Sequence, residues 1–269
     1  MTKNLQAEIG IFGGSGFYDL LENPEIVVVK TEWGEPSAKI HLGKIAGQSV
    51  AFLPRHGEKH TIPPHKINYR ANLAAFKQLG VKHIISPCAA GSLQPDIKPG
   101  DFVVLDQFVD RTVGREDSFY QGPQVTHVAG AKPYCPQLAD LAVKTCQELK
   151  IAVHPQGTVV VINGPRFSTT AESRWFASHG WQVINMTQYP EVILAKEQAI
   201  GFCGLALITD YDAGLAGVPG IEPVTLEEVM KVFKVNNEKV KTLIYEMIKN
   251  WPTEFKCDCD KSLAGAVVN

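Results

Sequence analysis

Residues 68–85 read NYRANLAAFKQLGVKHII, and this stretch indicates the fold class. Its apolar residues Leu73 and Phe76 recur near helical spacing, and Gly80 stands where a helix commonly ends. A short run rich in β-branched residues, His83–Ile85, follows and is typical of a buried strand. Because alternating helices and strands build α/β domains, the stretch predicts one unit of such a domain.

The same alternation extends over most of the chain. Strands are predicted over the apolar runs Ile9–Phe12, Val50–Leu53, His83–Ile85, Phe102–Leu105, Thr158–Ile162, Val183–Asn185 and Leu205–Thr209. Helices are predicted over Asn68–Leu79, Pro136–Leu149, Thr170–Gly180 and Glu191–Ile200. A longer helix is expected from about residue 225 to 250, with Thr225 and Glu228 as a capping box, and a short tail covers residues 252–269. No linker-like stretch divides residues 1–269, so we expect a single α/β domain with a largely parallel sheet.

Charge and hydropathy exclude several classes of partner. The chain has 269 residues, with 26 Lys and Arg against 28 Asp and Glu, and its formal charge is −2. We therefore expect no nucleic acid and no anionic membrane as a partner. The most apolar uncharged stretch, Gln198–Thr209, is shorter than the roughly 18 residues that suggest a membrane span. With no apolar leader pattern at Met1–Glu8, we expect a cytoplasmic protein.

The six cysteines do not form the dense framework of a small secreted domain. Their only local pattern is Cys257-x-Cys259, whose spacing differs from the C-x2-C of common zinc sites. We interpret this pair as structural or incidental rather than as a metal site. The redox state of the thiols stays open at this point.

Two loops that follow predicted strands carry groups suited to an anion. Gly13–Gly16, which includes Ser15, offers backbone N–H groups and a hydroxyl, and it forms either a phosphate cradle or a tight turn. Arg55 follows Val50–Leu53 and presents the forked donors that bind oxyanions. A second anion-binding group is therefore predicted at the end of a strand.

Two histidines follow Arg55 closely. His56 and His60 would share one face of a helix, a spacing that can bind zinc. Gly57 and the Pro63-Pro64 pair disfavour a helix at this point. We therefore expect these histidines to form hydrogen bonds with an anion or a hydroxyl rather than to hold a metal.

Three later segments carry weaker signals. Small residues over Ser86–Ser92 allow a ligand close to the backbone, or form a simple turn. Phe167 is either a stacking surface for a flat ligand or a core residue. Asp210 and Asp212, two apart on an extended segment, point the same way, and repulsion would raise the pKa of one enough for it to donate a proton. The alternative for this pair is a solvated turn.

Together and in this order, these segments resemble the low-molecular-weight purine nucleoside phosphorylase superfamily, and within it the S-methyl-5′-thioadenosine phosphorylase branch. The resemblance rests on Gly13-Gly14-Ser15-Gly16, Arg55-His56-Gly57, Gly164-Pro165-Arg166-Phe167-Ser168, Asn185-Met186-Thr187, Pro190-Glu191-Val192 and Thr209-Asp210-Tyr211-Asp212. It implies one α/β domain with a central mixed, partly barrel-like sheet flanked by helices, assembled as a homotrimer or homohexamer. It also implies that inorganic phosphate is a co-substrate and that neither a cofactor nor a metal takes part.

The resemblance assigns roles to individual residues. The implied phosphate-binding positions are Ser15, Arg55, His56, Cys88, Ala89 and Thr187. Met186 matches the ribose position, Phe167 is counted among the substrate-binding residues, and Asp210 and Asp212 match the purine position, where they are the implied catalytic groups. Where relatives commonly carry Thr or Ser, this chain has Cys88, a weaker donor, so its backbone N–H and that of Ala89 are the expected contacts.

The implied 5′ pocket is apolar. Ser168 and Leu226 occupy positions that the family associates with specificity for a methylthio group rather than a hydroxyl. His60 is expected at the same end, and His127 resembles the residue that an adjoining subunit contributes. Cys135, Cys203, Cys257 and Cys259 fall at positions similar to those of disulfide-bearing archaeal members, so the resemblance allows bridging among them.

The implied reaction is the phosphorolysis of S-methyl-5′-thioadenosine to adenine and 5-methylthioribose 1-phosphate. The alternative is a purine nucleoside phosphorylase acting mainly on adenosine, 5′-deoxyadenosine or methylthioinosine. Asp210 favours adenine, because 6-oxopurine phosphorylases of this superfamily look to use Asn there. A hydrolase is disfavoured because it would leave Arg55 without a charged partner, whereas a metallohydrolase would use His56, His60 and Asp210. A nucleoside-binding module would tolerate Asp210→Asn.

Overall fold

Strands and helices alternate along the chain in the computed structural model, which describes residues 6–13, 20–219, 221 and 226–268, without the side chains of 226–231 and 233. The strands are β1 Ile9–Gly13, β2 Glu22–Val27, β3 Ile40–Ile45, β4 Gln48–Pro54, β5 His83–Ser92, β6 Phe102–Val104, β7 Gln107–Arg111, β8 Val125–Thr126, β9 Val153–His154, β10 Thr158–Ile162, β11 Val183–Asn185, β12 Gly201–Tyr211 and β13 Val267–Val268. The α-helices are α1 Tyr69–Gln78, α2 Pro136–Glu148, α3 Thr170–Ser178, α4 Gln188–Glu197 and α5 Leu226–Lys249. No helix in this described part is long and apolar enough to span a membrane.

Local capping explains why the predicted helices form where they do. The Asn68 side chain accepts the backbone N–H of Ala71 and starts α1. Thr169 and Glu172 form a reciprocal capping box at the start of α3. Helix α4 begins at Gln188, three residues before the predicted start at Glu191. The capping box predicted at Thr225 lies outside the described residues.

The central sheet is mixed. Its main path runs β2-β3-β4-β1-β5-β11-β10-β7, and β12 pairs with β5 and β6. Strands β4, β1, β5 and β12 are mutually parallel, whereas β11 is antiparallel to β5 and β6 is antiparallel to β12. The predicted α/β fold with a mixed sheet is therefore confirmed, and the sheet is less uniformly parallel than the strand pattern alone suggested.

Strand β5 is longer than its sequence indicated. We considered Ser86–Ser92 as a simple turn, but this segment continues the strand and pairs with β12 from His83 opposite Gly201 to Ser92 opposite Tyr211. One edge of β5 contacts β1 near its start and β11 near its end. The turn interpretation was wrong because the small residues are held extended by a neighbour distant in sequence.

Helices cover both faces of the sheet. Leu73 and Phe76 of α1 share one buried apolar cluster with Leu194 of α4. Leu138 of α2 and Leu243 of α5 belong to a second cluster. This arrangement of a sheet between helices leaves the carboxyl ends of the parallel strands available for ligands.

Candidate active site

A buried ion pair lies at the end of β4. Arg55 Nε donates to Glu191 Oε1 at 2.7 Å and Nη2 donates to Glu191 Oε2 at 3.0 Å, and the two side chains are 5% and 0% exposed. Burial lowers the pKa of Arg55, but the charge and hydrogen bonds of Glu191 outweigh it, so the net pKa is raised. The guanidinium is therefore fixed in orientation and remains charged.

The ion pair is anchored to the middle of β5. Arg55 Nη2 donates to Ser86 Oγ at 2.6 Å, and Nη1 donates to the carbonyl of Pro87 at 2.8 Å. The Ser86 hydroxyl donates in turn to Glu191 Oε2 at 3.1 Å, and Gln188 Nε2 donates to the carbonyl of Ser86 at 3.2 Å. The start of α4 and the middle of β5 are thus joined around one cation.

The other described phosphate-binding candidates sit beside this network. Cys88 and Ala89 follow Pro87 directly on β5, and Thr187 is the buried residue that precedes α4. Burial raises the pKa of Cys88 to about 12, although Arg55 opposes the shift, so the thiol stays protonated near neutral pH. A neutral thiol is a weak donor, which agrees with the expectation that backbone N–H groups serve at this position.

His56 is held in one tautomer by a turn. Its Nδ1 lies 2.8 Å from the carbonyl of Ile62, which can only accept, so Nδ1 carries the proton and Nε2 is free to accept. The ring stacks on His60 with centroids 4.4 Å apart, and the segment is a turn rather than a helix, as predicted. Burial lowers the pKa of His56 to about 4, the bond to Ile62 opposes this, and Arg55 and His60 lower it further.

The two aspartates lie together at the end of β12. A Cβ placed on Gly91 would lie 3.6 Å from Asp210 Oδ2 and 3.5 Å from Asp212 Cβ, so both residues border the same point of β5. Ser168 Oγ donates to Asp212 Oδ2 at 2.5 Å, and Thr209 Oγ1 donates to Asp210 Oδ1 at 2.6 Å. Burial raises the pKa of Asp210, the Thr209 hydroxyl lowers it, and Asp212 raises it further.

Strand β5 sets the distance between the anion-binding end of the site, at Ala89, and its carboxylate end, at Gly91. Ala89 is opposite Leu207 in the β5–β12 pairing, and Gly91 is opposite Asp210 after a bulge in β12. Since a strand advances about 3.3 Å per residue, Ala89 and Gly91 lie about 6.6 Å apart along β5. This interval leaves room for about one sugar ring between an anion at Ala89 and a base at Asp210.

Arg115 holds together, beside the site, the loop after β10 and the segment that joins β11 to the start of α4. Its Nη2 donates to the carbonyls of Met186 at 2.8 Å and Asn163 at 3.0 Å, and its Nη1 donates to the carbonyl of Tyr189. A Cβ at Gly164 would lie only 2.6 Å from Met186 Sδ, so glycine is needed for this close approach. Met186 is thereby fixed between the loop after β10 and the start of α4.

A family model described as the phosphorylase superfamily matches residues 8–249. The chain belongs to this superfamily. The match confirms the predicted family and the predicted fold. It also confirms that the chain is a phosphorylase, which is a pentosyltransferase. Among the described residues of this phosphorylase, His56, His60 and Asp210 do not form a group of metal ligands, which disfavours the metallohydrolase alternative.

Named relatives of this phosphorylase cover nearly its whole length. It is 49% identical over 265 residues to the S-methyl-5′-thioadenosine phosphorylase of Thermofilum pendens, covering 98% of this chain and 99% of that one. It is 42% identical over 275 residues to a purine nucleoside phosphorylase of Streptomyces coelicolor, covering 98% and 97%. A solved methylthioadenosine phosphorylase from an antarctic soil metagenomic library has a TM-score of 0.92 at 38% identity, covering 98% and 93%.

One solved relative of this phosphorylase contains a purine base. The methylthioadenosine phosphorylase from Schistosoma mansoni, in complex with adenine, has a TM-score of 0.89 and is 34% identical to this chain. The two chains are covered to 97% and 99%, so the same fold is present throughout.

Of the remaining predicted site residues of this phosphorylase, the structure describes two, Phe167 and His127, whereas Ser15 and the side chain of Leu226 lie outside the described residues. Phe167 is 78% exposed, so the core alternative for it was wrong. His127 is exposed after β8, where its backbone N–H donates to the carbonyl of Ala266 at 2.8 Å, and its contribution to an adjoining subunit stays a prediction. The backbone of Leu226 begins α5.

The sequence reasoning missed three residues that organise the site. The resemblance includes Glu191 but assigns it no role. Glu191 pairs with Arg55, so the expectation that Arg55 lacks a charged partner without phosphate was wrong. Ser86 and Gln188 complete the same network. A glutamate in a mostly apolar helix is the signal that could have found the pair, because a buried carboxylate needs a partner.

Proposed function

We propose that this chain is an S-methyl-5′-thioadenosine phosphorylase, which forms adenine and 5-methylthioribose 1-phosphate. The observation that carries the proposal is the position of Asp210 and Asp212 at Gly91, two residues along β5 from Ala89 and four from Pro87, whose carbonyl accepts from Arg55. The family match and the relatives named for methylthioadenosine support it.

In this proposal, Arg55, His56, Thr187 and the backbone of Cys88 and Ala89 hold inorganic phosphate, with Ser15 as a further predicted donor. Arg55 is charged and preoriented by Glu191, which suits it to an oxyanion. His56 Nε2 accepts from the protonated oxygen of monohydrogen phosphate, because Nδ1 already donates to Ile62. Phosphate needs no activation by a metal, and we propose no cofactor.

The chemical step breaks the bond between C1′ and N9 as a phosphate oxygen bonds to C1′. The sugar carries positive charge in the transition state, as in other glycosyl transfers, and the bound anion stabilises it. Asp210, whose pKa is raised mainly by burial, donates a proton toward N7 of the leaving base. Asp212, held as an acceptor by Ser168, accepts from the 6-amino group and favours adenine.

The 5′ end of the substrate is assigned by resemblance. We propose that Leu226 favours the methylthio group, with Met186 against the ribose and Phe167, His60 and the partner's His127 nearby. Ser168, which the resemblance assigned to this end, instead donates to Asp212 at the base end. Leu226 suits a thioether, because both groups are apolar and the polarisable sulfur makes favourable contacts with an apolar side chain. An adenosine-preferring purine nucleoside phosphorylase is the second candidate, favoured by the relative from Streptomyces coelicolor.

We also propose a homotrimer or homohexamer in the cytoplasm. Val113, Phe167 and Trp175 are large apolar side chains that are 80%, 78% and 45% exposed. Arg111 lies 5.0 Å over the Trp175 ring, and the Val113 backbone donates to Asn163, so these residues surround the loop after β10. An apolar surface of this kind is typical of a subunit interface.

The test combines four nucleosides with and without phosphate. Purified protein is incubated with S-methyl-5′-thioadenosine, adenosine, inosine and methylthioinosine, and the free base and sugar phosphate are quantified. We expect phosphate-dependent adenine release that is fastest from S-methyl-5′-thioadenosine. A preference for adenosine supports the second candidate, whereas release without phosphate indicates a hydrolase. Faster release from the 6-oxopurines contradicts the roles of Asp210 and Asp212, and no release at all indicates a binding protein.

A further inference from the structure

A group of sulfur and nitrogen donors meets at the end of β5 opposite to the candidate active site. His83 Nε2, Cys135 Sγ and Cys257 Sγ all lie within 4.8 Å of one another, and the distance from Cys257 Sγ to His83 Nε2 is 3.8 Å. His83 begins β5, eight residues before Gly91, so about 26 Å of strand separates this cluster from Asp210. It is independent of the chemistry proposed above.

A fourth donor borders the same space. A Cβ placed on Gly201 would lie 3.2 Å from His83 Nε2 and 3.4 Å from Cys259 Sγ. Cys259 lies next to the group of three donors without being one of those that are all within 4.8 Å of one another, so its side chain would adjust to complete a set of four. The same Cβ would lie only 2.5 Å from His83 Cδ2, so the imidazole occupies this position because residue 201 has no side chain.

The surroundings of the cluster hold the donors in place. The His83 ring stacks on Phe255 with centroids 3.7 Å apart and meets the edge of Trp251 at 6.0 Å. Cys135 is fully buried and directly precedes α2, where its backbone N–H donates to the carbonyl of Phe202 at 2.8 Å. His83 and Cys135 are thus held on rigid elements beside aromatic rings, which is what a structural metal site requires of its ligands.

We propose that His83, Cys135, Cys257 and Cys259 bind one zinc(II) ion as a structural site. Three cysteines and one histidine form a closed tetrahedral donor set of the structural type. With Zn–S bonds of about 2.3 Å and Zn–N bonds of about 2.0–2.1 Å, tetrahedral geometry separates the donor atoms by about 3.6–3.8 Å. The observed 3.8 Å between Cys257 Sγ and His83 Nε2 meets this requirement. Binding releases the thiol protons to solvent and involves no change of oxidation state.

The site would attach the C-terminal tail to the body of the domain. Cys257 and Cys259 lie between α5 and β13, while His83 and Cys135 belong to the sheet and to the start of α2. We interpreted the Cys257-x-Cys259 pair as unrelated to a metal because its spacing differs from C-x2-C and because no matching His or Cys pair occurs elsewhere in the sequence. The fold supplies the other two donors from 174 and 122 residues away in sequence.

The experiment measures metal content and metal affinity on the full chain. Protein is purified under thiol reductant without chelator, its affinity tag is removed, and zinc is quantified by elemental mass spectrometry. We expect about one zinc per chain in the parent protein and in Cys146→Ala, a control for a buried thiol outside the cluster. Metal-free parent protein titrated with Co(II) should develop thiolate-to-metal charge-transfer absorption, and Zn(II) should displace the cobalt.

Cys257→Ser and His83→Gln should each weaken Co(II) binding by more than the roughly 10–100-fold that the loss of an outer-sphere partner costs. If these variants do not fold, the cobalt titration of the parent chain still decides the question. The proposal is overturned if the reduced parent chain contains little zinc and gives no charge-transfer band. It is also overturned if the native mass falls by two hydrogens per disulfide and the reduced chain binds no metal, or if Cys257→Ser retains full affinity.

Discussion

Replacing Glu191 with glutamine would remove one charge from a pair that is buried on both sides. The amide keeps the size of the carboxyl group, but it presents N–H donors where the donors of Arg55 and Ser86 now find an acceptor. The Arg55 cation would remain enclosed, because its side chain is only 5% exposed. The variant therefore tests the charge and its hydrogen bonds with little change in volume.

The expected loss of stability is large. Unit charges about 4 Å apart attract by about 4 kcal/mol at an effective dielectric constant of about 20. Removing one partner of a buried pair typically costs about 3–5 kcal/mol, because the other charge is left without compensation. With about 1.4 kcal/mol per tenfold change, the folding equilibrium of Glu191→Gln should fall by roughly two to four orders of magnitude.

Urea unfolding, followed by circular dichroism, measures this loss as a change in the free energy of unfolding. The matched control is Glu172→Gln, which breaks the equally short 2.7 Å contact to Arg166 at the surface, where the side chains are 34% and 66% exposed. A glutamine at this position can retain the capping box with Thr169. The control should lose no more than about 1 kcal/mol.

Phosphate separates the structural role of Glu191 from the role proposed for Arg55. An anion that binds at Arg55 should offset part of the missing charge, so saturating phosphate should raise the melting temperature of Glu191→Gln more than that of the parent protein. If Glu191→Gln and Glu172→Gln lose similar stability, the reasoning about the buried pair is refuted. Equal phosphate stabilisation of the parent and Glu191→Gln would refute the link to the anion site.

Three further outcomes are expected at the carboxylate end of the site. Asp210→Asn should lower kcat for S-methyl-5′-thioadenosine by about 10²–10⁴-fold at saturating phosphate, and a fall of less than about tenfold would exclude Asp210 as the acid. The protonated form of Asp210 is the active one, so kcat should fall as the pH rises through its raised pKa. Thr209→Val removes a hydrogen bond that lowers this pKa, so the fall in the pH profile of kcat should move to higher pH. A fall that stays at the same pH contradicts the assignment. Ser168→Ala removes the 2.5 Å hydrogen bond to Asp212, and such a bond to a charged acceptor contributes about 1.5–3 kcal/mol. In initial-rate kinetics, KM for adenine nucleosides should therefore rise about tenfold or more. An unchanged KM argues against base recognition by Asp212.

Local signals predicted the regular elements well where the structure depends on local interactions. Helix α1 was expected over Asn68–Leu79 and is observed over Tyr69–Gln78, because the Asn68 side chain caps it within three residues. The strands Thr158–Ile162 and Val183–Asn185 match their predicted bounds. The exposed hairpin of β2 and β3 was not predicted, since only one of its strands has a buried apolar face to produce a pattern.

The features that were missed depend on contacts between distant residues. Arg55 and Glu191 are 136 positions apart, and no local pattern indicates that β4 and α4 bring them together. The same holds for the continuation of β5 beyond Ile85, which results from its pairing with β12. By contrast, the spacing of Asp210 and Asp212 and the family resemblance both indicated this pair, and the structure brings the two aspartates together. The resemblance assigned Ser168 to the 5′ end, whereas its contact with Asp212 depends on a residue 44 positions away.

Because Arg115 binds the site through backbone atoms, the residues that it holds can change in sequence without losing their positions. Its guanidinium holds Asn163, Met186 and Tyr189 through their backbone carbonyls, which every amino acid possesses. The positions of these two segments, one after β10 and one from β11 into α4, are therefore fixed through backbone atoms rather than through the side chains that they display. Libraries that randomise residues 163 and 186 while keeping Arg115 should retain a folded scaffold, and new nucleoside preferences could be selected there without first rebuilding the loops.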